Sequence, residues 1–167
     1  MKKILFIICV FLGFSSLLGQ DLISQDLIIS DYVEGTLLIP KQKTNTLVII
    51  IPGSGPTDRD GNQNFAKNNS LKFLAEDIAM DGIATFRYDK RALTLLKKGI
   101  LDEKKIRFED FVEDAKHVVS YFKQRRRYNK IFILGHSQGS LVGMLASEKD
   151  VDGFISLSGP GKSIDER

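Results

Sequence analysis

The sequence predicts an α/β fold: a mostly parallel sheet with helices on both faces. Three observations carry this. From Thr46 onward, short apolar runs of strand length alternate with longer stretches of helical periodicity, in the order strand, helix, strand, helix, strand, helix, strand. The run Thr46 to Ile51 is apolar without a break, the pattern of a strand covered on both sides. And 43% of the 167 residues are hydrophobic, enough for a core that needs no disulfide.

The first residues read as an export signal. Lys2 and Lys3 precede an apolar run from Ile4 to Phe14, and Ser15, Ser16, Gly19 and Gln20 follow it. The run is too short for a comfortable membrane span. Residues 1–19 are therefore expected to be a signal peptide, which predicts a secreted or periplasmic protein with no stable membrane span after cleavage. Cys9, the single cysteine, lies inside this segment, so the mature chain is expected to hold no disulfide. Formal charge is +3, and +1 once Lys2 and Lys3 are removed, which argues against a nucleic-acid partner.

Two short strands are expected over Leu27–Ser30 and Tyr32–Ile39, closed by the polar turn Pro40-Lys41-Gln42-Lys43. The strand Thr46–Ile51 ends at Pro52-Gly53-Ser54-Gly55-Pro56, and a long polar loop follows to Asn69. Ser70 is expected to cap a helix through about Met80, with Leu71, Leu74, Ala75 and Ile78 on one face and Asp81-Gly82 ending it. Ile83 to Tyr88 is a further strand. Asp89 to Ile106 is lysine-rich and without clear period, an irregular insertion or short helix. Phe108 to Arg125 is strongly amphipathic, and Lys123 to Arg127 place cations at its carboxyl end. Strand Ile131–Leu134, a helix over Ser140–Ala146 spaced by Leu141, Met144 and Leu145, and strand Gly153–Leu157 complete the pattern.

The most informative stretch is Gly135-His136-Ser137-Gln138-Gly139, placed between a strand and a helix. In such a strand-turn-helix elbow the serine adopts a strained, positive-φ backbone, and residues two before and two after it press on neighbouring backbone, where only glycine fits. The turn raises the Ser137 hydroxyl above the sheet edge, in front of a helix N-terminus whose free N–H groups can face a developing oxyanion. Ser137 is thus the candidate nucleophile, with Gly135 and Gly139 as the elbow glycines.

With this elbow, the loop Pro52 to Pro56 and the segment Arg87-Tyr88-Asp89-Lys90-Arg91 in that order, the chain resembles the α/β-hydrolases. The run Ile51 to Asn62 with the later Arg87 to Arg91 is similar to bacterial, often exported, members described as esterases or serine-aminopeptidase-like proteins. The resemblance implies that residues 20–167 are the N-terminal portion of an α/β-hydrolase domain, with the C-terminal strands missing. It further implies an oxyanion hole from the backbone N–H of Gln138 and that of Ser54, no cofactor and no metal, and a small-molecule ester or acyl substrate. Hydrolysis of carboxylic esters through an acyl-enzyme on Ser137 is the leading expectation. Aminopeptidase or thioesterase activity on the same scaffold, or a non-catalytic binding module, are the alternatives.

One departure stands out. The family order places an acid and then a histidine after the nucleophile, but Arg167 follows the sixth expected strand closely. His136, beside the serine, is expected to point away from it, and His117 sits mid-helix. Asp165 can act only as an early-placed acid. The triad acid and base are therefore expected beyond Arg167, and this chain alone is expected to be nearly inactive. Asp58, Arg59 and Asp60 fit no metal-ligand set and read as a salt-bridged loop at the pocket rim. Asp89 reads as an anchor for loop backbone or an arginine. Gly161-Lys162-Ser163 lacks the first glycine of a phosphate-binding loop, since residue 156 is serine.

Overall fold

The computed structural model describes residues 22–147 and 151–161. The expected signal peptide with Cys9 lies outside them, as do Asp165 and the Lys162-Ser163 pair. A six-stranded sheet is built from β1 (Leu22–Ile28), β2 (Glu34–Pro40), β3 (Thr46–Ile51), β4 (Ala84–Tyr88), β5 (Lys130–His136) and β6 (Gly153–Leu157), in the spatial order β1-β2-β4-β3-β5-β6. β1 and β2 are antiparallel to each other and β2 to β4, whereas β4, β3, β5 and β6 run parallel. The helices are α1 (Ser70–Met80), α2 (Arg91–Lys97), α3 (Phe108–Gln124) and α4 (Gln138–Ala146), with one 3-10 turn at Glu103–Lys105.

Strand periodicity divides the core into two layers. On β3, Leu47, Ile49 and Ile51 pack with Val112, Ala115, Val118, Val119 and Phe122 of α3 and with Val142 and Ala146 of α4. Val48 and Ile50 point the other way, against Leu71, Ala75 and Ala79 of α1. Both faces of the central strand are therefore covered, which is why its sequence has no polar alternation.

Three local expectations are corrected. The first strand begins at Leu22 and the second at Glu34; the polar stretch Ser24-Gln25-Asp26 belongs to β1, which lies at the sheet edge with most of its side chains exposed and so carries no hydrophobic period. Ser70 is the first helical residue of α1 and not its cap: Asn69 holds the cap position at φ 52°, and the carbonyl of Asp60 accepts from the N–H groups of Leu71 and Lys72 at 3.1 and 3.3 Å. On α4 the buried side is formed by Gly139, Ser140, Val142, Gly143 and Ala146, while Met144 and Leu145 are exposed. The helix lies so close to the sheet that a methyl group at position 143 would fall 2.9 Å from Ile133 Cγ2.

The loop after β3 leads to α1 on one face, and the loop after β5 leads directly into α4 on the other. Two adjacent parallel strands whose exits diverge open a crevice at their carboxyl ends, the usual ligand position in such sheets.

Candidate active site

Ser137 sits at that crevice, between the end of β5 and the first residue of α4. Its backbone is at φ 53°, ψ −120°, a conformation that L-residues rarely occupy. It is pinned there because its N–H donates to the Leu157 carbonyl of β6 at 2.9 Å and its own carbonyl accepts from Ser140 N–H at 2.9 Å. A side chain at position 135 would fall 2.5 Å from the carbonyl carbon of Gly139, and one at position 139 would fall 2.6 Å from the Pro52 carbonyl oxygen. The bend can form only with glycine at both positions. Ser140 closes the turn, its hydroxyl donating to the Gly135 carbonyl at 2.5 Å.

The loop after β3 lies against this elbow. A methyl group at position 53 would be 3.4 Å from Ser137 Cβ and 3.2 Å from His136 Nδ1. Gly53, Ser54, His136 and Ser137 share the wall of a cavity of about 140 Å³. Ser137 is half-buried there and outside both hydrophobic layers. Among the described residues, neither the Ser54 nor the Gln138 amide donates to a backbone carbonyl. The positions of sequence interest, Ser54, Gly135, Ser137, Gln138 and Gly139, are thus gathered at one point. His136 carries the ring next to the serine. It shares the cavity wall with its Nδ1 beside Gly53, and among the described residues it makes no hydrogen bond to Ser137. His117 is exposed on α3.

The long polar loop is held by charge. Asp58 accepts from the N–H groups of Asp60 and Asn62 at 3.0 and 2.7 Å. Asp60 accepts from Arg87 Nε at 2.9 Å. The carboxylate of Asp89, 2% exposed, accepts from Arg59 N–H at 2.7 Å, Arg59 Nε and Nη2 at 3.1 Å, and Lys97 Nζ at 2.9 Å. Burial pushes this carboxyl up, but the hydrogen bonds and charge of Arg59 with the bond from Lys97 bring it below its ordinary pKa. The same arginine reaches Asp26 of β1 at 3.2 Å and Glu34 of β2 at 3.4 Å, so the rim is tied to the antiparallel edge of the sheet.

Sequence reasoning passed over Lys90. Its side chain, in a residue 4% exposed, runs beneath the loop and donates from Nζ to the Gly53 carbonyl at 2.9 Å and to Gln138 Oε1 at 2.7 Å. The ammonium also lies 4.3 Å from the Phe111 ring centroid. Burial lowers its pKa to about 8. The available signal was position: Lys90 comes two residues after the end of β4, at the sheet end where the loops after β3 and β5 gather. A second cavity, of about 300 Å³, adjoins it, walled by Pro56, Leu101, Ile106 and Phe111 with Lys90, Glu103 and Gln138. No helix among the described residues is long and apolar enough to cross a membrane.

Residues 68–167 match the family described as serine aminopeptidase, S33. Over 135 residues the chain is 30% identical to Esterase EstD of Thermotoga maritima, covering 79% of this chain and 31% of that protein. Its structure is similar to dienelactone hydrolase from Anabaena variabilis, with a TM-score of 0.59 and 22% identity over 83% of this chain and 63% of the other. Est1E from Butyrivibrio proteoclasticus superposes with a TM-score of 0.59 and 21% identity, over 81% and 50%. The chain therefore spans about a third of the curated relative and between half and two thirds of these solved chains. By its sequence match the chain belongs to the serine aminopeptidase S33 family, and its sheet is that of an α/β-hydrolase.

Proposed function

We propose that Ser137 is the nucleophile of a serine hydrolase that cleaves carboxylic esters through an acyl-enzyme. The observation that carries this reading is a serine held in a strained turn with two backbone amides near it that have no backbone partner among the described residues: Ser54, which shares its cavity wall, and Gln138, which follows it in the chain. Attack of Ser137 Oγ on an ester carbonyl forms the C–O bond to the enzyme and moves negative charge onto the carbonyl oxygen. Two N–H donors aimed at that oxygen stabilise it without reorganising, and loss of one such donor typically costs about 2.7 to 4 kcal/mol. Collapse of the intermediate expels the alcohol, and water then releases the acid. The proton leaving Ser137 needs a base. We place that base and its acid partner beyond Arg167, and the protein outside the cytoplasm, secreted or periplasmic, on the strength of its N-terminal segment.

The ester reading is supported by the likeness to Esterase EstD. An aminopeptidase reading has one observation of its own: the carboxylate of Glu103 on the wall of the larger cavity is the type of group that binds a free amino terminus. A fluorophosphonate probe applied to the complete gene product tests the nucleophile. Labelling that is lost in Ser137→Ala supports the proposal, and a folded protein that takes no label overturns it. Turnover of p-nitrophenyl butyrate against alanine p-nitroanilide then separates esterase from aminopeptidase.

A further inference from the structure

We propose that Lys90 is a positioning residue for the oxyanion hole, its ammonium clamping the Gly53–Ser54 peptide to the Gln138 side chain so that both amides converge on Ser137; this rests on the reading of Ser137 given above. The argument begins with the peptide that Lys90 touches. The carbonyl it binds belongs to Gly53, and the N–H of the same peptide unit is that of Ser54. In a planar trans peptide the C=O and N–H point in opposite directions. Fixing the carbonyl toward Lys90 therefore directs the Ser54 N–H away from it, on a loop where Gly53 and Ser54 share a cavity wall with Ser137. A cation on the carbonyl oxygen also polarises the unit and makes its N–H a stronger donor.

The second bond secures the other half. Gln138 supplies the remaining amide from its backbone, and its side-chain oxygen is 2.7 Å from the same ammonium. One buried group thus bridges two loops that leave the sheet on opposite faces. Its third contact is the face of the Phe111 ring, 4.3 Å away. Among the described residues Lys90 makes no ion pair, although Asp114 lines a narrow gap beside it; that carboxylate is taken by Arg91 at 2.7 and 2.8 Å. An ammonium buried without a counter-ion gives up hydration that two hydrogen bonds only partly restore, a cost that an apolar residue of similar length does not carry. What the lysine supplies, and a hydrocarbon of the same length does not, is the pair of bonds that fixes the two amide-bearing loops.

The test uses the complete gene product and the variants Lys90→Met, Gln138→Leu and Ser137→Ala, assayed with p-nitrophenyl butyrate. Lys90→Met is expected to lower kcat roughly 10- to 100-fold, as misplaced donors do, with KM within about threefold and a Tm equal to or above that of the parent. Gln138→Leu keeps the backbone amide but removes the acceptor, and is expected to lower kcat in the same direction. Inhibition by a trifluoromethyl ketone, whose hemiketal carries the oxyanion, is expected to weaken in parallel. A kcat within twofold of the parent in a folded Lys90→Met protein overturns the inference and leaves the nucleophile assignment standing. A fall in Tm with unchanged activity per folded molecule overturns it as well, because that is what a purely structural lysine gives. Full turnover by Ser137→Ala overturns both.

Discussion

The Lys90 ammonium lies 2.7 Å from the side-chain oxygen of Gln138, a residue 48 positions further along the chain. Burial lowers this ammonium from 10.5 to about 8. The folded value is below the unfolded one, so between pH 8 and about 10.5 the unfolded chain binds more protons and stability contributed by this site rises with pH. The charged groups that line the spaces beside it, Glu103 and the Arg91–Asp114 pair, are the same in the parent and in Lys90→Met, so the comparison isolates Lys90. The Tm advantage of Lys90→Met is therefore expected to shrink as pH rises from 8 to 10.5. Thermal melts across that range check this, and a difference that stays constant rules Lys90 out as the titrating group.

Gly139→Ala is expected to destabilise the chain by about 1 to 3 kcal/mol, the usual range for overpacking. The added carbon falls 2.6 Å from the Pro52 carbonyl oxygen and also meets that of Ile51, both parts of the backbone of the central strand and its exit, with no flexible side chain to give way. Urea unfolding of the two proteins measures it. A loss below 0.5 kcal/mol would mean that helix α4 can slide off the end of β3.

Much of this was legible in the sequence because period and turn chemistry act locally. The apolar run Thr46–Ile51 announces a strand covered on both faces, and two glycines two residues either side of Ser137 announce a bend too tight for any side chain. β1 was not legible, because an edge strand with exposed side chains has no hydrophobic period to read. The buried side of α4 was misread for a related reason: close packing selects small residues there and leaves the larger Met144 and Leu145 outside. Lys90 was hidden because its partners are a carbonyl 37 and an amide side chain 48 residues away, and a lysine in a lysine-rich segment reads as surface.

Asp89→Asn is expected to loosen the rim loop. The substitution removes the charge that receives three contacts from Arg59 and one from Lys97, leaving a part-buried guanidinium with the Thr36 hydroxyl and the more exposed carboxylates of Asp26 and Glu34. Breaking a buried pair in this way typically costs about 3 to 5 kcal/mol, and the remaining carboxylates place the expectation at the low end, about 3 kcal/mol. Because the folded-state pKa of Asp89 lies below its ordinary value, its contribution is in place above about pH 4 and is lost as pH falls through the folded value. Limited trypsin digestion is expected to cut after Arg59 faster in the variant at pH 7. Equal cleavage rates would remove Asp89 as the anchor.

Ser137→Gly and Ser137→Ala both delete the hydroxyl and differ only in Cβ. At φ 53°, ψ −120° a Cβ is strained, typically by about 1 to 3 kcal/mol, whereas glycine occupies the region freely at an entropic cost of about 0.5 to 1 kcal/mol. The first effect outweighs the second, so Ser137→Gly is expected to be the more stable of the two by about 1 kcal/mol in urea unfolding. That ordering is the opposite of what glycine does in a helix interior, and it isolates the turn because both proteins lack the Ser137 hydroxyl. If the alanine variant proves the more stable, the elbow is relaxed and the backbone at Ser137 stores no strain.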